Sequence, residues 1–393
     1  MNHGLIARDA ASNRSIGITW RDDRIIEVVK VPDTRPPRPG DDYVCPTFFD
    51  IQFNGRWGHS FSDPKLTVEQ AARCVRAQAS FGSGHVFPTL ISASFEATRQ
   101  GLATLAAACA ADPRVDHLVA GVHLEGPWIS ERDGYRGAHP LSAIRDPDWD
   151  EFQAWQETSG GRIKIVTLAP EREGALEMIA KLTASEVVVG IGHTAADGPT
   201  LAAAVAAGAR LSTHLGNGIE AVLPRHPNPI WYQAADDRLT ASLIGDGLHL
   251  EEQAFKVLAR AKGPERLVLV SDASPLAGLP TGDYFPWEVD ASGKIIVAGT
   301  PYLAGSNQPL AVGLGNLLRW AGFSIVDALA TVISNPARLL GRPAPRLEVG
   351  QPASFVVFRA EAGVFQVRSV HIEGRPVDLG LADEMPVDVS TTT

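Results

Sequence analysis

Cysteine is scarce in this chain: Cys45, Cys74 and Cys109 are the three in 393 residues. They stand apart with no Cys-x-x-Cys spacing, which argues against a zinc knuckle or a disulfide framework and suits buried small hydrophobes. No apolar run approaches the ~20 residues of a membrane-spanning helix. The opening text MNHGLIARDAASNRS lacks a basic start followed by an apolar stretch, so no secretory signal is read there and the cytoplasm is the expected compartment. Positive charge is short as well. Lys and Arg number 35 against 45 Asp and Glu, a formal net charge of -10. No basic block offsets that balance, which argues against a nucleic-acid or anionic-membrane partner and leaves a small molecule as the expected ligand. Repeats of about 20 to 50 residues and low-complexity segments are also missing.

What is present suits a large globular core: 45% hydrophobic and 20% charged residues. The first forty-odd residues read as short strands, SIGITW and RIIEVVKV, ending in the turn-rich PDTRPPRPGDD. From Phe48 the pattern changes. The β-like runs FFDIQF, HVFPTLI, LVAGVHLEG, KIVTLAP, VVVGIGH, RLSTHLGN, ASLIGDGLH and RLVLVSDAS alternate with helical text such as VEQAARCVRAQASF, TLAAAVAAGA and LEEQAFKVLARA. Eight such runs with mostly helical connections predict a (β/α)8 barrel. Strand-like text returns in ASFVVFRA and GVFQVRSVHIEG. The expected organisation is a barrel over 48–344 and a small β-sandwich domain made from both chain ends, 1–47 and 345–393.

Five of the apolar runs stop on polar or ionisable groups. These are His123 and Glu125, His193, His214, Asp246 and His249, and Asp272. A single histidine of this kind is ordinarily a hydrogen-bonded core residue, but unpaired buried charge is costly and the coincidence at successive strand ends resists a packing explanation. Strand C-termini are where a barrel of this type builds its chemistry. Two imidazoles and one carboxylate suit a divalent cation such as Zn2+, with a position left open for water whose pKa it lowers to about 7. Asp272 can take that water's proton and pass it to a leaving group. Read alone it is equally a turn or N-cap aspartate.

The motifs HLEGPW (123–128), RGAHP (136–140), GIGHT (190–194), STHLGN (212–217), GDGLHL (245–250), SDASPLAGLPTGDY (271–284), LAGS (303–306) and NPARLLG (335–341) follow in that order. The string resembles the N-acetylglucosamine-6-phosphate deacetylase family of the amidohydrolase superfamily, from about Phe48 to about Phe358. The resemblance implies hydrolysis of an acetamide on an amino sugar, converting N-acetyl-D-glucosamine 6-phosphate to D-glucosamine 6-phosphate and acetate. It implies Glu125, His193 and His214 as metal ligands, Asp272 as general base and then acid, and His139 beside the substrate, polarising the acetyl carbonyl. The cofactor it implies is one divalent ion, Zn2+ first, with Fe2+, Mn2+ and Co2+ open. Gln52 and Asn54 of FDIQFNG (49–55) stand where many amidohydrolases carry His-x-His for a second metal, and neither is a strong zinc ligand. Candidate sugar and phosphate contacts are Ala138, His139, Asn217, Gly218, Arg225, His249, Leu303, Ala304 and Gly305, arginine being suited to phosphate. A homodimer is also implied.

The segment HLGNGIEAVLPRHPNPIW (214–231) departs from the family text, close to HLFNAM and then an Arg-Glu/Asp-Pro-Gly turn. Metal chemistry is preserved while the ligand end is remodelled. A non-phosphorylated N-acyl sugar or another amide therefore stays open as substrate, as does a catalytically silent sugar-binding barrel. The eight tryptophans are read as packing residues, with Trp128 and Trp231 also able to flank a sugar ring and nothing singling out either.

Overall fold

The computed structural model describes residues 1–33, 36, 38 and 40–382. Parts of the turn-rich 32–42 segment, and the last 11 residues of the C-terminal stretch assigned to the small β domain, lie outside the described residues.

All eight expected runs lie in one parallel sheet, labelled here β1 (Phe48–Phe53), β2 (Ser83–Ile91), β3 (Val122–Glu125), β4 (Ile163–Leu168), β5 (Val188–Ile191), β6 (Leu211–Ser212), β7 (Thr240–Ile244) and β8 (Leu267–Val270). They pair in chain order from β1 to β8. Their near-continuous apolar text, LVLV in β8 for example, is what strands covered on both faces require. The seam between β8 and β1 is thinner than the other junctions. Asp272 N–H donates to the Gln52 carbonyl at 3.0 Å and Asn54 N–H to the Ala273 carbonyl at 2.9 Å. Below them the buried Asp50 carboxylate accepts from Ser271 N–H and Oγ–H and from Gln78 Nε2. These bonds bring the sheet to a nearly closed barrel.

The covering helices follow local rules. Helix Val68–Ala79 begins at a capping box between Thr67 and Gln70 and buries Ala71, Cys74 and Val75. Helix Gly198–Ala207 is capped by Asp197, carries Pro199 in its first turn and ends at Gly208. Gly208 has φ +126°, and a Cβ there would run into Thr183.

The chain ends meet in a second sheet of seven strands. Tyr43–Pro46 joins them, pairing with Asn2–Asp9 on one side and Phe355–Glu361 on the other. A third sheet is an antiparallel excursion between β8 and Leu303, made of Gly282–Tyr284, Trp287–Val289 and Ile295–Val297. All three cysteines are free and buried. Among the described residues no helix is long and apolar enough to cross a membrane.

Candidate metal and catalytic centre

Three site residues leave their strands in a conformation that side chains rarely adopt. His193 after β5, His214 after β6 and Asp272 after β8 have φ of +51°, +31° and +45°. That region costs a non-glycine residue about 1–3 kcal/mol. All three line one cavity with Glu125, the last residue of β3.

Glu125 Oε1 lies 3.1 Å from His193 Nε2 and 2.7 Å from His214 Nε2, and the two imidazole nitrogens are 3.1 Å apart. All three residues are buried. His193 Nδ1–H donates to the Tyr135 carbonyl at 2.7 Å, so its Nε2 turns a lone pair inward when the ring is neutral. His214 Nδ1 is buried with no hydrogen-bond partner. Two carboxylates, Glu125 and Asp272, face the cavity, and among the described residues no Lys or Arg lines it. A tetrahedral zinc with bonds of about 2.0–2.1 Å spaces its ligand atoms about 3.3 Å apart. Donor types and spacing fit one divalent cation.

The protonation pattern expresses the same demand for positive charge. Burial opposes ionisation of Glu125, yet the bonds from His193 and His214 hold its carboxyl well below the usual range. Burial also opposes protonation of His214, where the Glu125 bond and charge win and push the pKa up. Among the described residues this is the one cluster of three or more potential metal-ligating side chains.

Gln52 and Asn54 each hold a carboxylate of the site. Gln52 Nε2 donates to Glu125 Oε1 at 3.0 Å, and Asn54 Nδ2 donates to Asp272 Oδ1 at 2.7 Å. Burial and then the charge of Glu125 lift Asp272 to a pKa of about 7. His139 is fixed by Ser92, whose backbone N–H donates to its Nδ1 at 3.2 Å while Ser92 Oγ lies 2.7 Å from the same nitrogen. An amide only donates, so Nδ1 accepts and the ring proton sits on Nε2. Burial, with the charge of His193 adding to it, lowers His139 to a pKa of about 3 and keeps it a neutral donor. His123 serves the core instead: Nδ1–H donates to the Ile51 carbonyl at 3.1 Å and Nε2 accepts from Thr167 Oγ at 2.7 Å.

Most of the expected sugar contacts border the same cavity. Ala138 and His139 are there, with Asn217, Gly218 and His249, and the Leu303, Ala304 and Gly305 segment. Arg225 is not among the lining residues; it is exposed in the loop before helix Pro229–Ala235. Neither Trp128 nor Trp231 reaches the cavity. Trp128 is fully buried against Trp155 because its indole completes the helix packing, and Trp231 is half exposed on helix Pro229–Ala235. The tryptophan at the cavity is Trp287.

The amidohydrolase family pattern matches residues 43–377. The chain belongs to the amidohydrolase family.

Among amidohydrolases it is 36% identical over 350 residues to the N-acetylglucosamine-6-phosphate deacetylase of Bos taurus, covering 85% of this chain and 83% of the bovine one. It is 29% identical to the N-acetylgalactosamine-6-phosphate deacetylase of Escherichia coli O157:H7, covering 95% of this chain and 99% of that one. The fold is similar to a mutant N-acetyl-D-glucosamine-6-phosphate deacetylase from Mycobacterium smegmatis solved with N-acetyl-D-glucosamine-6-phosphate. The TM-score is 0.84 at 31% identity, with 96% of this chain and 99% of that chain covered.

In this amidohydrolase the cavity wall around His249 is organised by Asp246. Its Oδ2 accepts from His249 Nδ1–H at 2.7 Å and Ser306 Oγ–H at 2.8 Å, while Oδ1 accepts from the Leu248 and His249 amides. One carboxylate thus ties the β7 loop to the Leu303–Gly305 segment. Burial raises its pKa, but the His249 bond and charge outweigh that and bring it to about 2, against 3.8 for a free aspartate. A depressed carboxylate stabilises the fold above its unfolded pKa and loses that contribution as pH falls through the folded one. Asp246→Asn is therefore expected to remove about 2 kcal/mol at pH 7. It should also flatten the decline in stability between about pH 4 and pH 2, read by urea unfolding. Equal pH slopes in the two proteins would exclude this bond as the source.

Proposed function

We propose that this amidohydrolase deacetylates N-acetyl-D-glucosamine 6-phosphate, releasing acetate and D-glucosamine 6-phosphate. The observation that carries the reading is the convergence of Glu125, His193 and His214 with Asp272 and a neutral His139 on one cavity. Glu125, His193 and His214 would hold one divalent cation, Zn2+ by donor type, with Fe2+, Mn2+ or Co2+ as alternatives. When bound, the cation supplies Lewis acidity, polarising the amide oxygen and acidifying water.

The rest is done by side chains. Asp272 takes a proton from the water whose oxygen bonds to the acetyl carbon, and gives it to the sugar nitrogen as the C–N bond breaks. Burial raises the Asp272 carboxyl above the ordinary aspartate range, toward the basicity a proton acceptor needs. Asn54 occupies Asp272 Oδ1, leaving Oδ2 for the proton. His139 donates Nε2–H to the carbonyl oxygen as negative charge grows there. Asn217, Gly218, Ala138 and the Leu303, Ala304 and Gly305 segment bound the sugar, with His249 held by Asp246 as a polar contact. Arg225 supplies charge for the phosphate from its exposed loop, to its own cavity or to a partner's in a homodimer. The same reading places the enzyme in the cytoplasm.

One observation favours a second reading, a non-phosphorylated N-acyl sugar: among the described residues no Lys or Arg lines the cavity. Acetate release from N-acetylglucosamine 6-phosphate, its dephosphorylated form and the N-acetylgalactosamine epimer, with purified metal-loaded protein, separates them. The phosphate is expected to raise kcat/KM about 10- to 100-fold, the worth of a hydrogen bond to a charged group. Indifference to the phosphate selects the second reading. No acetate from any of the three would refute deacetylation.

A further inference from the structure

An N-acetylhexosamine is amphipathic. Its hydroxyls lie around the ring edge, while ring C–H bonds form an apolar face that gains from leaving water. The metal-ligand cluster and Asp272 give the cavity a polar end, and its apolar lining comes from Ile91, Ile244, Pro275, Leu303 and Trp287. Apart from imidazoles, Trp287 is the one aromatic side chain among the described residues that line the cavity.

Trp287 is built into this wall. It opens the middle strand of the antiparallel excursion, opposite Tyr284 on one side and Val297 on the other. The next strand hydrogen-bonds the wall itself: Ala304 N–H donates to the Ile295 carbonyl at 2.9 Å and Val297 N–H to the Tyr302 carbonyl at 2.8 Å. The indole is therefore fixed to the same backbone that carries Leu303 and Gly305. It packs against the main core yet stays half-buried. Among the described residues its N–H has no hydrogen-bond partner, while Trp20, Trp128 and Trp155, three of the buried tryptophans, each donate to an oxygen. An indole on the cavity wall, with its N–H unused, offers an apolar surface and a donor to the two sides of a sugar.

We propose that Trp287 is the sugar platform of this site: the apolar face of the pyranose lies against the indole, and the indole N–H donates to a sugar oxygen. The proposal rests on the deacetylase reading and adds the residue that selects a ring. Trp287→Ala is expected to raise KM for N-acetylglucosamine 6-phosphate about 10-fold with kcat within about threefold, and Trp287→Phe to recover most of the loss. Glucosamine 6-phosphate, used as a binding probe, should quench wild-type tryptophan emission and leave Trp287→Phe emission unchanged. A KM within twofold of wild type in Trp287→Ala, or an equal quench in Trp287→Phe, overturns the platform while leaving deacetylation intact. If the wild-type protein releases no acetate, the deacetylase reading fails, and the quench comparison still decides whether the indole meets an amino sugar.

Discussion

Asp272→Asn is expected to lower kcat by about 10²- to 10⁴-fold, the contribution of a positioned general acid–base group, while metal content stays at the wild-type level. The substitution isolates proton transfer because everything else at that position survives it. Asparagine has the same shape, its Oδ1 still accepts from Asn54 Nδ2, and it tolerates the left-handed φ of +45° better than most residues. Asp272 also lies outside the three-residue cluster that fits a cation. Metal analysis beside steady-state kinetics reads both quantities. A variant within tenfold of wild-type kcat would show that another group moves the proton. A variant that loses its metal would show that Asp272 belongs to the metal shell instead.

The second large effect is expected from the cluster itself. In the metal-free wild-type protein, Zn2+ added to about 100 times its dissociation constant should raise unfolding stability by about 2.7 kcal/mol. Glu125→Gln keeps the shape of the side chain but removes the charge that both imidazoles face at 3.1 and 2.7 Å. It is expected to abolish the Zn2+-dependent shift in thermal unfolding and to leave no measurable acetate release. Elemental analysis after desalting reads the metal directly. Stoichiometric zinc retained by Glu125→Gln would remove the carboxylate from the ligand set.

The barrel was legible because each strand is an apolar run with helical text beyond it, and the sheet follows chain order with no crossing to infer. Glu125, His193, His214 and Asp272 were legible for a related reason: each is the polar stop of such a run, so finding the strand finds the residue. What was hidden depends on distance across the barrel. Gln52 and Asn54 were read as poor zinc ligands, and their use is visible only when β1 stands beside Glu125 and Asp272. Their i, i+2 spacing, which puts both side chains on one strand face, was the available signal. Ser92 fixes the His139 tautomer through a backbone amide, which no residue type announces. Trp287 lies in an excursion of short strands whose text does not say that it folds back on the wall. Packing was the first reading of the tryptophans, and Trp128 fits it against Trp155, while Trp231 is half exposed on the surface.

The left-handed turns at His193, His214 and Asp272 bear on how this chain can evolve or be engineered. At each of them glycine would relax the backbone by about 1 kcal/mol. At His193 and His214 it would also strip a partner from the buried Glu125 carboxylate, a loss of about 3–5 kcal/mol. Swapping a strained turn for glycine, a common route to a hardier variant, therefore runs the wrong way in this barrel.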